Sequence, residues 1–143
     1  MTALALDPGK TTGFAVSCGE VGSFKRADID HGERLTRWVS DVDGLVSSWN
    51  PNLIIWDQPF ARGAEGAVVV AMGGLLEMLC WDRDIKRLIA PMNTVKKTIL
   101  GNGRATNTDA VAWAKAQGWR VTCHHEADAV LLLSYGLEQR AVA

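Results

Sequence analysis

Long apolar runs are missing from this 143-residue chain. None reaches the ~18–20 residues that a membrane-spanning helix needs, so no membrane span is expected. The first residues lack a basic stretch leading into an apolar one, and an acid at Asp7 comes too early for a secretion signal. A cytosolic protein is therefore expected, in the cytosol of a bacterial host if the chain is phage-encoded. Cysteine is scarce: Cys18, Cys80 and Cys123 are odd in number, far apart and form no Cys-x-x-Cys pair. That excludes a disulfide framework or a cysteine zinc site and predicts buried reduced thiols. Repeats, low-complexity tracts and linkers are absent too, and 48% apolar content excludes a disordered chain. Residues 1–143 are expected to form one domain with a real core. A P-loop is excluded as well. Gly9-Lys10-Thr11 would need its first glycine at position 4, where Leu4 stands.

Net positive charge is also lacking, since the chain sums to −1. Its distribution is uneven, however. Residues 1–82 carry 6 basic and 11 acidic side chains, whereas residues 83–120 carry 8 basic and 2 acidic. An acidic half beside a strip of net +6 suits a cation-dependent site for a phosphodiester substrate, although a solvated face would carry the same charges.

Apolar patterning predicts an α/β protein. Thr2–Asp7 and Gly13–Cys18 read as a hairpin of strands, with a shorter third strand at Val21–Arg26. Ile29–Trp49 has helical spacing and stops before Pro51. Leu53–Trp56 is a continuous apolar run, as in a strand buried on both faces. Gly63–Trp81 is a helix apolar nearly all round, which must be buried on more than one side. A short strand at Ile85–Ala90 follows. Helices are then predicted at Met92–Leu100, Thr108–Gln117 and Ala127–Gln139, with Thr106 or Asn107 capping the second of these. The element order fits a central mixed sheet with helices on its faces.

The apolar run of the first strand stops at Asp7, and the chain reverses at Pro8-Gly9. The buried fourth strand ends at Asp57. If the two strands are parallel neighbours, both carboxylates lie at the carboxyl edge of the sheet, where open α/β sheets bind ligands. Asp128 lies in the first turn of the last helix, with His125 three residues earlier on the same face. Each acid alone could be a turn former, a strand-end cap or a helix N-terminal charge. Together they suggest a site for a hard divalent cation. Asp-x-Gly-x-Thr turns also serve the two-lobed actin-like ATPases, but this chain is too short for two lobes.

Four blocks resemble the RuvC-type Holliday junction resolvases. They are Leu6-Asp7-Pro8-Gly9 with Thr12-Gly13, Asp57-Gln58-Pro59-Phe60, Val95-Lys96-Lys97-Thr98 leading into Gly101-Asn102-Gly103, and His125-Glu126-Ala127-Asp128-Ala129. They occur in family order across nearly the whole chain and look most like the phage-encoded branch. The resemblance implies an RNase H-like fold with a central five-stranded mixed sheet flanked by helices. It implies a homodimer that nicks branched DNA symmetrically with magnesium, for which manganese substitutes, using two ions per active site. Four-way junctions are the implied substrate, with forks and flaps as further ones.

By the same resemblance Asp7, Asp57 and Asp128 are metal ligands. Lys96 approaches the scissile phosphate, Phe60 stacks on an unpaired base, and Lys97 and Arg104 join Lys96 in binding DNA. The fourth ligand stays open between His125, favoured by helical spacing, and Glu126, the harder donor. The chain departs from the family at Asp57, where many relatives have glutamate, and at Asn107, where relatives have a second lysine whose contact Arg104 would take over. A nuclease for structured RNA and a non-catalytic junction-binding protein are the alternatives. Three carboxylates kept in a phosphate-facing site argue against the pure binder.

Overall fold

In the computed structural model, which describes residues 1–58 and 63–142, five strands form one sheet in the order β3-β2-β1-β4-β5. Strands β1 (Ala3–Asp7), β2 (Thr11–Val16) and β3 (Val21–Lys25) form an antiparallel meander. Helix α1 (His31–Trp49) then crosses over to β4 (Leu53–Asp57), which pairs parallel to β1, and α2 (Gly63–Asp82) crosses to β5 (Lys86–Ala90), parallel to β4. Helices α3 (Met92–Leu100), α4 (Asn107–Ala116) and α5 (His124–Val142) complete the chain. The predicted mixed sheet flanked by helices is observed.

Strand residues alternate between two cores, because successive side chains point to opposite faces. Leu4, Leu6, Ile54 and Trp56 pack with Trp38, Val42, Met72 and Leu76 of α1 and α2. Ala3, Ala5, Ala15 and Ile55 pack with α3, α4 and the fully buried run Ala129 to Leu132 of α5. Small residues on this second face let α5 lie close to the sheet. A Cβ on Gly13 would overlap the backbone of His125, and one on Gly136 would overlap the side chain of Ile55.

Helix boundaries differ from the sequence expectation in two informative places. Helix α1 starts at His31 rather than Ile29, because the Asp30 carboxylate accepts from Glu33 N at 2.9 Å and caps it; Ile29 is left 95% exposed. Helix α5 starts three residues before Ala127, so His124 and His125 are helical. Thr106 caps α4 in a reciprocal capping box with Asp109. Of the cysteines only Cys80 is buried; Cys18 is exposed and Cys123 half-buried.

Helix α2 is long and apolar enough to cross a membrane by length and composition, as no other helix is among the described residues. Here it lies on the sheet beside α1 and buries Val68, Met72, Leu76 and Leu79. Its outer side leaves Val70, Met78 and Trp81 exposed. Burial on more than one side is therefore not met within a single copy of the chain.

Candidate active site

Alternation along the strands puts Asp7 and Asp57 on one face. Asp7 follows Ala3 and Ala5, and Asp57 follows Leu53 and Ile55, all on the α5 side of the sheet. Leu6 pairs with Trp56 in the parallel register, so the two aspartates end adjacent strands side by side at the carboxyl edge. Helix α5 crosses this edge with its first turn and brings His125 and Asp128 to the same place. His125 Nδ1 lies 3.4 Å from Asp7 Oδ2. The His124 ring lies against that of His125, with centroids 3.9 Å apart.

A buried hub holds the turn that carries Asp7. Trp38 Nε1 donates to Thr12 Oγ1 at 2.9 Å, and Thr12 Oγ1 donates to the Gly9 carbonyl at 3.0 Å. Gly9 N lies within 3.3 Å of the same hydroxyl. The turn after β1 is thus tied to the core through α1. A second tie lies at the rim, where the buried Arg34 of α1 holds Glu65 of α2 at 2.8 Å and the Asp28 carbonyl at 2.9 Å.

Electrostatics mark the carboxylates as a group. Burial pushes the Asp57 carboxyl up to about 7, and the charges of Asp7 and Asp128 push the same way. Asp128 is also raised to about 7, chiefly by burial and then by Asp7, against the pull of Lys96 and His125. Burial raises Asp7 too, opposed by its contact with His125 and by the nearby charges of His124 and Lys96. The His125 imidazole is shifted upward by Asp7, while His124 is shifted downward by burial and by its neighbour. Asp57 Oδ1 and Asp128 Oδ1 are buried without any hydrogen-bond partner. Unpartnered buried carboxylate oxygens that repel one another are costly, and a bound cation is the physical remedy.

The donor chemistry fits a hard divalent cation: three carboxylates with one imidazole beside them. Among the described residues, no three His, Cys, Asp or Glu side chains are already grouped around one point. The carboxylates are neighbours in the electrostatic sense but not a finished cage.

The other predicted site residues separate clearly. Glu126, the alternative to His125 as fourth metal ligand, has its carboxylate engaged by the scaffold. One carboxylate oxygen accepts from Ser23 Oγ at 2.7 Å and Thr122 Oγ1 at 3.0 Å, and the other from Thr122 N at 3.0 Å. These bonds fasten the start of α5 to β3 and to the preceding loop, and they hold its carboxyl below the usual range despite burial. Lys96 lies near the carboxylates: its ammonium donates to the Ala105 carbonyl at 3.2 Å, and its charge acts on Asp7, Asp128 and His124. Lys97 and Arg104 are exposed on the basic segment and make no ion pair among the described residues. Phe60 lies outside the described residues. Thr12 and Ser23 were not legible as supports, because their partners are 26 and 103 residues away.

No protein-family model matches the chain, and no curated protein matches it by sequence. Solved structures do match. RuvC of Thermus thermophilus superposes with a TM-score of 0.78 over 99% of this chain and 96% of its own, at 19% identity. The same organism's RuvC in complex with Holliday junction substrate gives 0.78 at 17% identity, over 99% of this chain and 96% of that one. The yeast mitochondrial Holliday junction resolvase Ydc2 gives 0.52 at 13% identity, over 91% of this chain and 76% of that one. At these identities the similarity establishes architecture, and the chain has the α/β RNase H-like fold of the RuvC structures.

Proposed function

We propose that this chain is a metal-dependent, structure-selective endonuclease that resolves Holliday junctions and related branched DNA by paired symmetric nicks. The observation that carries the reading is the convergence of Asp7, Asp57, Asp128 and His125 at the carboxyl edge of the sheet, with Lys96 beside them. The shared fold of a protein solved with a Holliday junction adds support.

Two Mg²⁺ ions, or Mn²⁺ in their place, held by Asp7, Asp57 and Asp128 with His125 as a further donor, would supply water activation and charge neutralisation at the phosphodiester. The protein's own part is to assemble and dry the site. Asp57 and Asp128, both raised to about 7, must give up protons to become ligands. In the cation-free state the contact with Asp7 shifts the His125 imidazole upward, and its protonated form offsets part of the carboxylate repulsion. Lys96, whose ammonium donates to the Ala105 carbonyl, would meet a phosphate oxygen. The net +6 segment 83–120, with Lys97 and Arg104 exposed, draws the DNA backbone toward this edge.

Paired nicks need two sites, and a two-fold dimer would supply them. The outer side of α2 is the surface proposed for that dimer. Val70, Met78 and Trp81 are exposed there, and Gly74 borders two shallow apolar cavities of about 500 and 400 Å³.

Incubation with a four-way junction and Mg²⁺ tests the proposal. Wild type should cut symmetric strands, and Asp7→Asn should bind the junction without cutting. No cleavage by wild type, or equal cleavage by the variant, would sink it.

A further inference from the structure

His124 is packed against the candidate site on one side and lines a separate cavity on the other. That cavity, of about 450 Å³, lies between α4 and α5 and is bordered by Asn107, Thr108, Val111, Ala112, Lys115 and His124. It is a wide, open concavity whose lining is mostly solvent-exposed, so a planar group can reach it from the surface. None of its lining residues is acidic, in contrast to the three carboxylates reached through His125. It combines an imidazole, a small aliphatic wall of Val111 and Ala112, two polar side chains and an exposed lysine. Lys115 makes no ion pair among the described residues. The two histidine rings therefore divide the surface into a cation-holding side and a cationic, partly apolar side.

The geometry points to this cavity as a nucleotide subsite next to the scissile phosphate, in which an unstacked base lies on the His124 ring and Lys115 takes the neighbouring phosphate. The inference rests on the nuclease reading and deepens it, by assigning the place where the strand continues beyond the cut. Aromatic rings hold single bases by stacking whatever their identity, while a narrow wall and amide or hydroxyl groups can favour one base over another. Asn107 and Thr108 supply those polar groups, and Val111 with Ala112 supplies the wall. His124 is then a binding residue, and cutting preference at one position beside the nick follows from it.

The test uses the full-length protein and a four-way junction carrying 2-aminopurine at one position at a time around the crossover. Binding is followed in EDTA, where no cleavage is expected. A fluorescence change is expected at one position beside the cut. His124→Ala should abolish that change and weaken binding about tenfold. His124→Phe should keep the signal, because it keeps a flat ring, and Lys115→Ala should weaken binding while leaving the signal in place. Circular dichroism of each variant checks that α5 is intact. The subsite is overturned if no position responds, if His124→Ala leaves the signal unchanged, or if His124→Phe loses it as fully as the alanine variant. Cleavage in Mg²⁺ reports separately. A junction bound with the His124-dependent signal but never cut refutes the nuclease reading and leaves the subsite standing.

Discussion

His125 Nδ1 and Asp7 Oδ2 face each other at 3.4 Å, joining the end of the first strand to the first turn of the last helix across 118 residues of sequence. Glu126, the next residue, is fastened to Ser23 and Thr122 instead. The adjacent pair thus divides the labour, one side chain toward the carboxylate cluster and one toward the scaffold.

This division predicts a split between two variants. His125→Ala should lower junction cleavage about 10- to 100-fold and raise the Mg²⁺ concentration needed for half-maximal activity, as loss of a ligand or of its support does. Glu126→Gln, which can still hydrogen-bond Ser23 and Thr122, should keep its Mg²⁺ requirement and lose mainly stability. Metal titration of cleavage by both variants checks this. A Glu126→Gln enzyme with a strongly raised Mg²⁺ requirement would return Glu126 to the ligand set.

Raised carboxylates predict how the cation-free protein responds to pH. Asp57 and Asp128 move from 3.8 to about 7 on folding. Protons therefore bind the folded state more tightly, and stability falls as pH rises from about 4 to 7. His125, raised by Asp7, contributes in the same direction, since its stabilisation is present below 6.5 and lost as pH rises through its folded value. In EDTA the unfolding free energy should drop by about 2 kcal/mol for each of the two carboxyls between pH 5.5 and 8, about 4 kcal/mol for the pair titrating independently. Asp57→Asn should flatten that slope and stabilise the protein at pH 8. Mg²⁺ should stabilise wild type more at pH 8 than at pH 5.5, because protons compete for the same oxygens. Urea denaturation at the two pH values, with and without Mg²⁺, measures all three effects. A flat profile in EDTA would contradict the account.

The sequence displayed the carboxylates because of where apolar runs stop. Leu4-Ala5-Leu6 halts at Asp7 and Ile54-Ile55-Trp56 halts at Asp57, and strand alternation then fixes their common face. The beginning of α5 was hidden for a different reason. His124-His125-Glu126 falls outside the predicted helix Ala127–Gln139, although His125 shares a helical face with Asp128, and what seats it is distant: the close approach to Gly13 and the bond from Ser23 to Glu126. The buried Arg34 was equally invisible, because its partner Glu65 lies 31 residues on and nothing local marks the pair. Local pattern shows where elements end, while the roles of polar residues inside the site depend on tertiary partners.

Gly13 gives that dependence a direct test. Any Cβ there overlaps the His125 backbone, which cannot step aside as a flexible side chain would. Gly13→Ala should cost about 1–3 kcal/mol of stability and also impair cleavage, since it pushes away the turn that carries His125 and Asp128. At Gly136 the obstruction is the Ile55 side chain, so Gly136→Ala should leave the catalytic edge in place and affect stability alone. Denaturation and cleavage assays on both variants separate the two cases. Full activity in Gly13→Ala would mean that α5 can shift without disturbing the site.

The outer side of α2 makes the remaining prediction. Trp81 is 80% exposed and Met78 64% exposed, so neither contributes much to the core of one subunit. Trp81→Glu should therefore leave the unfolding free energy of the isolated subunit within about 0.5 kcal/mol of wild type. If the same ring is buried between two copies, the charge would have to be desolvated there, and the dimer should dissociate. Gly74 sharpens the point because a Cβ there meets nothing within 4 Å in a single copy. In a monomer Gly74→Ala should stabilise the helix by up to about 1 kcal/mol, the ordinary gain of alanine over glycine. In a dimer whose second helix crosses at this glycine, the same methyl should weaken association. Sedimentation of wild type, Trp81→Glu and Gly74→Ala at micromolar concentration distinguishes the cases. A Trp81→Glu protein that still sediments as a dimer would place the interface elsewhere. A monomeric Trp81→Glu protein should still bind a junction arm but nick its two strands independently, because nothing then fixes the two sites about the two-fold axis of the substrate.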